Sequence, residues 1–203
     1  MNITALGYAL LGLLARGPKS GYDLAQNLRQ PVGFFWAANH SQIYPQLARL
    51  EEEGLVEHVV VDQRDRPAKK VYTLTPEGKG TLQTWLVEPL GLPTYRDELT
   101  LKAYSLWLAD PVGAVRMLRE HAEEHAAREA VCQTYVDDLA CHAAEALGRV
   151  ETPEFAEYVV AQRGVSIARE AKTWCLWVAG LLEAREPLSK AQLRSPASGS
   201  GSS

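Results

Sequence analysis

The stretch Ser41-Gln-Ile-Tyr-Pro-Gln-Leu-Ala-Arg-Leu-Glu-Glu-Glu-Gly54 constrains this chain more than any other. Ile43, Leu47 and Leu50 fall at i, i+4 and i+7, which is one face of a helix. Ser41 stands where an N-cap is expected, and Pro45 is early enough to be tolerated. Gly54 suits a left-handed stop after three glutamates. The spacing therefore predicts a helix over 41–53. With its apolar face turned inward, Gln42, Gln46 and Arg49 point outward and Tyr44 lies at the border. Amide, phenol and guanidinium groups on one short surface suit base edges and phosphates, which need donors in fixed positions. An ordinary surface helix carries the same pattern, so the flanking segments decide.

Residues 4–15 form a strongly apolar run that predicts a helix ending at Arg16-Gly17-Pro18. Ser20 and Asp23 have the spacing of a capping box and open a second helix to about Leu28. Phe34, Phe35 and Trp36 are expected to fill the space between helices. After Gly54, Leu-Val-Glu-His-Val-Val-Val is rich in branched residues and reads as a strand. Asp62 to Ala68 reads as a charged turn, and Lys69-Lys-Val-Tyr-Thr-Leu74 as a second strand. Thr75-Pro76-Glu77 then supplies a cap, a proline at the first helical position and an acid near the N-terminus of a helix reaching about Leu86. The order helix, helix, helix, hairpin, helix is that of a winged helix, whose third helix enters the major groove while the hairpin lies on backbone or minor groove. Arg64, Arg66, Lys69 and Lys70 cluster at this wing, where phosphate contacts are expected.

A net charge of −4 argues on its face against nucleic acid, but it is unevenly spread. Residues 1–85 carry +1 and residues 86–203 carry −5. A neutral domain with a basic edge still binds DNA, above all as a dimer that doubles the phosphate contacts. The start of the chain has no basic n-region of a secretory signal and no apolar run approaches a membrane span, so the cytoplasm is the expected compartment.

Four motifs, in order and at matching spacing, resemble PadR-type transcriptional regulators. They are Leu10-Leu-Gly-Leu-Leu, Gly17-Pro-x-Ser-Gly-Tyr-Asp-Leu24, Gln42-Ile-Tyr-Pro-Gln-Leu-x-Arg-Leu-Glu-x-Glu-Gly-Leu-Val56 and Lys70-Val-Tyr-Thr-Leu-Thr-Pro-Glu-Gly78. The resemblance covers the first 86 residues and implies a dimeric repressor with a winged-helix domain and a helical C-terminal dimerisation domain. It places Tyr44 and its neighbours, including Ser41, on the recognition helix and Lys69 and Lys70 on the wing.

A Pro/Gly-containing connector spans 87–95. A helix from Arg96 to Leu108 follows, with Leu99, Tyr104 and Trp107 apolar, and its Arg-Asp-Glu-Leu start resembles the longer PadR subgroup with a helical C-terminal extension. Asp110-Pro111 and Thr152-Pro153 each pair a cap with an N1 proline, opening helices expected to reach about Val150 and Arg185. In the last helix Val160, Gly164, Ile167, Ala171, Trp174, Val178 and Leu181 alternate spacings of four and three, the rhythm of a coiled-coil seam. Cys132, Val136, Leu139, Ala143 and Leu147 form a looser stripe on the helix before it. A monomer can use such a seam as intrachain core; a palindromic operator favours a symmetric homodimer, which sets two recognition helices roughly 34–36 Å apart.

Catalytic and metal chemistry find little support. His121 and His125 share a helix face, but the His-Ala-Glu-Glu-His order lacks the glutamate position of a zinc-protease helix. Cys132, Cys141 and Cys175 make no metal spacing, and their odd number argues against a disulfide framework. No nucleophile triad, phosphate-cradling loop or carboxylate pair is evident, so no enzyme, cofactor or metal is expected. The family resemblance implies that a small aromatic or cationic effector lowers operator affinity; Tyr104, Trp107, Trp174 and Trp177 are the candidates to line its pocket by stacking.

The expected protein is mainly α. It has a winged helix (three helices, β-hairpin wing, one helix) over 1–86, a connector over 87–95, a helical, coiled-coil-like dimerisation and effector domain over 96–186, and a flexible tail over 187–203. The expected function is a homodimeric, sequence-specific DNA-binding repressor that uses Ser41, Gln42, Tyr44, Gln46, Arg49, Arg64, Arg66, Lys69 and Lys70, with no membrane partner. The alternative is a helical carrier or interaction module whose winged helix docks protein.

Overall fold

A computed structural model describes residues 3–28, 40–63, 66–91 and 97–184, with backbone alone at His40, Gln63, Arg66 and Pro67. Phe34, Phe35, Trp36, Arg64, the Arg66 side chain and the 187–203 tail lie outside the described residues. The chain divides into two compact units, Met1–Leu92 and Pro93–Ser203.

In the first unit, α1 (Ala5–Leu14) is capped by Thr4, whose hydroxyl accepts from the Gly7 amide at 3.1 Å. The expected capping box opens α2 (Gly21–Asn27): the Asp23 amide donates to Ser20 Oγ at 3.2 Å, and Ser20 N donates back to Asp23 Oδ2 at 3.1 Å. Ser20 Oγ donates to the same carboxylate at 2.7 Å, and these bonds hold the Asp23 pKa below the usual carboxylate value. Helix α3 (His40–Glu52) starts one residue before Ser41, so Ser41 lies inside the first turn and is not the cap. Ile43, Leu47 and Leu50 are buried as their spacing predicts. Gly54 has φ 71, the left-handed conformation that ends the helix and turns the chain into the sheet.

The wing strands β2 (Val56–Gln63) and β3 (Arg66–Leu74) pair antiparallel, with Val56 opposite Leu74 and Val60 opposite Lys70. A two-residue strand that the sequence reading lacks, β1 (Lys19–Ser20), joins the other edge of β3, giving the order β1-β3-β2. It fixes the start of α2 against the wing. Helix α4 (Pro76–Trp85) begins with the expected Thr75 cap and returns to α1, where Trp85 stacks on Tyr8 at 4.2 Å between ring centroids. The core between these elements is aliphatic: Leu10, Leu11, Leu24, Ile43, Leu47, Leu50 and Leu55 are all essentially inaccessible.

In the second unit the helix expected over 96–108 is shorter. Asp97 caps α5 (Glu98–Tyr104), the helix ends at Ser105, and a 3-10 turn covers Leu106–Leu108. Helix α6 (Pro111–His142) starts on the Asp110 cap, but it stops at Ala143 rather than near Val150. A single turn, α7 (Ala144–Leu147), and the Thr152 hydroxyl, which donates to the carbonyls of Ala146 and Arg149, reverse the chain into α8 (Pro153–Ala184). Helices α6 and α8 run antiparallel, joined by Arg119 to Glu183, by Glu129 to Arg169 and Lys172, and by the Tyr135 hydroxyl to Glu157.

The intrachain seam is displaced by one residue from the expected one. The structure buries Ala161, Val165, Ala168, Cys175 and Ala179, which keep the same rhythm, while Val160 and Ile167 stay 37% and 48% exposed. Small residues let two helix backbones approach closely, so the narrow stripe wins over the more hydrophobic one. Two expected members do join the intrachain packing: Trp174 and Val178 lie against Leu118, Ala122, Cys175 and Ala179. Gly164 also belongs there, because a Cβ at that position would sit 2.9 Å from Cys132 Sγ. On α6 the stripe Cys132, Val136 and Leu139 is buried as expected, whereas Ala143 and Leu147 fall beyond the helix.

Candidate nucleic-acid interface

The amphipathic pattern of α3 fixes which side chains it can present. Its buried stripe faces the leucine core, so Ser41, Pro45, Ala48 and Glu52 occupy the opposite side, and all but the last are exposed without a long side chain. Neither Pro45 nor Ala48 carries a hydrogen-bonding side chain; the 100° step per residue is the signal that locates them. Small outermost residues let the helix backbone itself approach a groove floor.

The longer polar residues stand on two flanks. Tyr44 and Arg49 are five positions apart, about 140° round the helix, and therefore face different neighbours. On one flank Gln46 is half-buried, and its Oε1 accepts from Thr4 Oγ1 at 2.9 Å, so this amide also ties α3 to the start of α1. Arg49 lies on the same flank, with its Nε 3.3 Å from Glu53 Oε1. Gln42 is exposed beside them. The expectation of one outward surface shared by Gln42, Gln46 and Arg49 thus becomes one flank of α3, with Gln46 partly committed to the fold.

Tyr44 lies on the other flank, over the start of α2. An added Cβ at Gly21 would come within 2.5 Å of the Tyr44 ring, so glycine is what admits the tyrosine there. With Ser20, Tyr22, Asp23, Lys69, Lys70 and Tyr72, it borders a cleft of about 630 Å³. Strand alternation gives Lys70 the face shared with Tyr72, and Lys69 the opposite face. Both border the cleft because β1 ends opposite Val71 and leaves the edge of β3 open beyond it. At the other end of this flank Glu51 pairs with the His58 imidazole, joining α3 to β2. Burial, with Glu51 nearby, raises the pKa of Tyr72 and keeps its phenol neutral. The structure thus brings together Tyr44, Lys69 and Lys70, and separates them from Gln46 and Arg49.

The second unit has its own cavity of about 610 Å³, bordered by Asp97, Leu99, His121, His125, Arg128, Glu170 and Trp174 among others. Of the four aromatic residues expected to share a pocket, only Trp174 borders it. Tyr104 and Trp107 are 85% and 82% exposed, and the half-buried Trp177 is absent from the lining. Asp97 is held ionised by the Thr100 hydroxyl at 2.5 Å, and Glu98 by Lys102 at 2.9 Å. His121 pairs with Glu124 at 3.2 Å, and no cluster of three or more metal-binding side chains occurs among the described residues. Burial raises the Cys132 and Cys175 thiols, consistent with packing rather than reactivity. No helix among the described residues is long and apolar enough to cross a membrane.

Residues 10–84 match the model of the transcriptional regulator PadR-like family, and residues 95–183 match that of the virulence activator alpha C-terminal family. Over 170 residues the chain is 34% identical to the negative transcriptional regulator PadR of Bacillus subtilis (strain 168), covering 83% of this chain and 92% of that protein. The fold is similar to the crystal structure of Bacillus subtilis PadR in complex with operator DNA, with a TM-score of 0.80, 30% identity and coverage of 88% of this chain and 99% of that one. It is also similar to Bacillus subtilis PadR in complex with p-coumaric acid, with a TM-score of 0.72, 29% identity and coverage of 89% and 99%.

Proposed function

The chain belongs to the PadR-like family of transcriptional regulators, and on that premise we propose that it binds a palindromic operator as a homodimer and represses by occupying it. The observation that carries this reading is the grouping of Tyr44 of α3 with Lys69 and Lys70 of the wing around one cleft. Helix α3 enters the major groove through its small outer face, with Gln42 and Arg49 on one flank and Tyr44 on the other. Lys69 and Lys70 neutralise phosphates alongside, and Arg64 and Arg66, close by in sequence, add further positive charge. Ser41, in the first turn, approaches the backbone. The side of α8 that bears Val160 and Ile167, left partly exposed by the intrachain seam, meets the second protomer.

A small aromatic or cationic effector would occupy the cavity at Trp174, where four carboxylates outnumber Lys102 and Arg128 and one indole offers a flat surface. Its binding favours one spacing of the two recognition helices over another. That a relative's structure holds p-coumaric acid supports an effector-responsive regulator.

The test is a salt titration of binding to DNA from the protein's own upstream region, with Lys69→Ala/Lys70→Ala alongside. Loss of two phosphate contacts lowers the magnitude of the log–log salt slope by about 2. Specific dimer binding with that flattening supports the whole reading. An unchanged slope removes the wing assignment, and a folded dimer that binds no DNA at low salt returns the winged helix to protein docking.

A further inference from the structure

Strand β2 leaves apolar surface uncovered that the fold does not use. Val59, Val60 and Val61 are consecutive and 61%, 62% and 39% exposed, on an outer strand of the sheet. Outer strands are ordinarily guarded by charges, proline or a covering element; Val59 and Val61 take one face of the strand, and Val60 is the exposed valine on the other. Alternation puts Val56, His58 and Val60 in one row. Val56 is buried in the core, His58 pairs with Glu51 of α3, and Val60, next in the row, belongs to neither hydrophobic cluster. The row has run past the helix. Directly across the ladder from Val60 stands Lys70, which borders the Tyr44 cleft.

A branched aliphatic side chain and an ammonium thus stand side by side, on the face of the wing continuous with the proposed DNA surface. The DNA backbone offers the matching pair, since apolar sugar edges alternate with phosphates along each strand. We infer that Val60 packs on deoxyribose at the minor-groove edge while Lys70 neutralises the adjoining phosphate. Val60 is then a salt-independent source of operator affinity. Because minor-groove width depends on sequence, it also contributes to selectivity at base pairs that no side chain touches. This inference rests on the DNA-binding reading of the wing.

The experiment uses the full chain and a duplex carrying the tightest-binding sequence selected from a random pool, titrated over several salt concentrations. Val60→Thr keeps the branched shape and strand propensity and adds one hydroxyl. It is expected to weaken binding about fivefold at every salt concentration with an unchanged slope. Lys70→Gln is expected to flatten the slope by about 0.9. Val59→Thr, on the opposite face, is expected to stay within about twofold of the parent, with unfolding midpoints confirming that all three variants fold. Parent-like affinity of Val60→Thr would overturn the inference while leaving the regulator reading intact. So would loss of self-association by Val60→Thr at unchanged DNA affinity, which would assign the strip to a second copy of the chain. A parent chain that binds no duplex would overturn both.

Discussion

The first unit is built mainly on leucines, whereas the second buries mostly alanines and cysteines beside Leu118, Val136, Leu139 and Val165. Leu10, Leu11, Leu24, Leu47, Leu50 and Leu55 are almost wholly buried around α3, whereas Ala161, Ala168, Ala179, Cys132 and Cys175 make the seam of α6 and α8. A buried leucine contributes roughly 1.5–3 kcal/mol through the area it removes from water. An alanine contributes far less, and serves mainly to let two backbones come close. The winged helix therefore holds itself together by volume, as a rigid mount for a recognition helix must. The long helices gain their adhesion from length and from Leu118, Val136, Leu139 and Val165, with smaller additions from pairs such as Glu129 with Arg169 and Lys172. A thin seam also leaves Val160 and Ile167 on the surface, where a second protomer can complete the burial.

The two kinds of packing should fail in opposite ways. Leu47→Ala empties the centre of the first core and is expected to cost about 3 kcal/mol in urea unfolding. A loss below about 1 kcal/mol would mean that this core collapses easily and that the contrast is overstated. Ala168→Leu is the reverse substitution in the seam, and is expected to cost about 2 kcal/mol by forcing α6 and α8 apart. Stabilisation there would reveal unfilled space and sink the close-packing account.

Ser20→Ala removes the cap of α2 and is expected to cost about 1 kcal/mol. It should also change the acid limb of the stability curve. In the parent the lowered Asp23 pKa gives a contribution fully present above its unfolded value near pH 4 and lost as pH falls through the folded value. The variant should show a shallower loss across that window, measurable by thermal unfolding at a series of pH values.

What the sequence discloses is local chemistry. The Ser20/Asp23 box, Thr75-Pro76, Asp110-Pro111 and Thr152-Pro153 all mark helix starts correctly, because a cap acts within three residues. The burial of Ile43, Leu47 and Leu50 is equally legible in their spacing. Ser41 is the local exception, since α3 already starts at His40; the other departures are tertiary. Strand β1 exists because β3 is there to pair with it, some fifty residues on. Gln46 is drawn from the outer surface by Thr4, which only the fold brings near. The breaks at Ser105 and Ala143 carry neither glycine nor proline, so no breaker residue announces them. The intrachain seam runs one residue beside the stripe of Val160 and Ile167, because hydrophobicity selects valine and isoleucine while close approach selects alanine.

The fit of Tyr44 against Gly21 makes one aromatic ring both a spacer in the scaffold and a candidate reader of DNA. A change at position 44 is then screened for its effect on the α2–α3 joint before its effect on any base pair. Diversity at that position is narrowed from inside the protein, and effort to retarget the regulator is best placed at Gln42 and Ala48, whose exposed side chains can vary without reopening the joint.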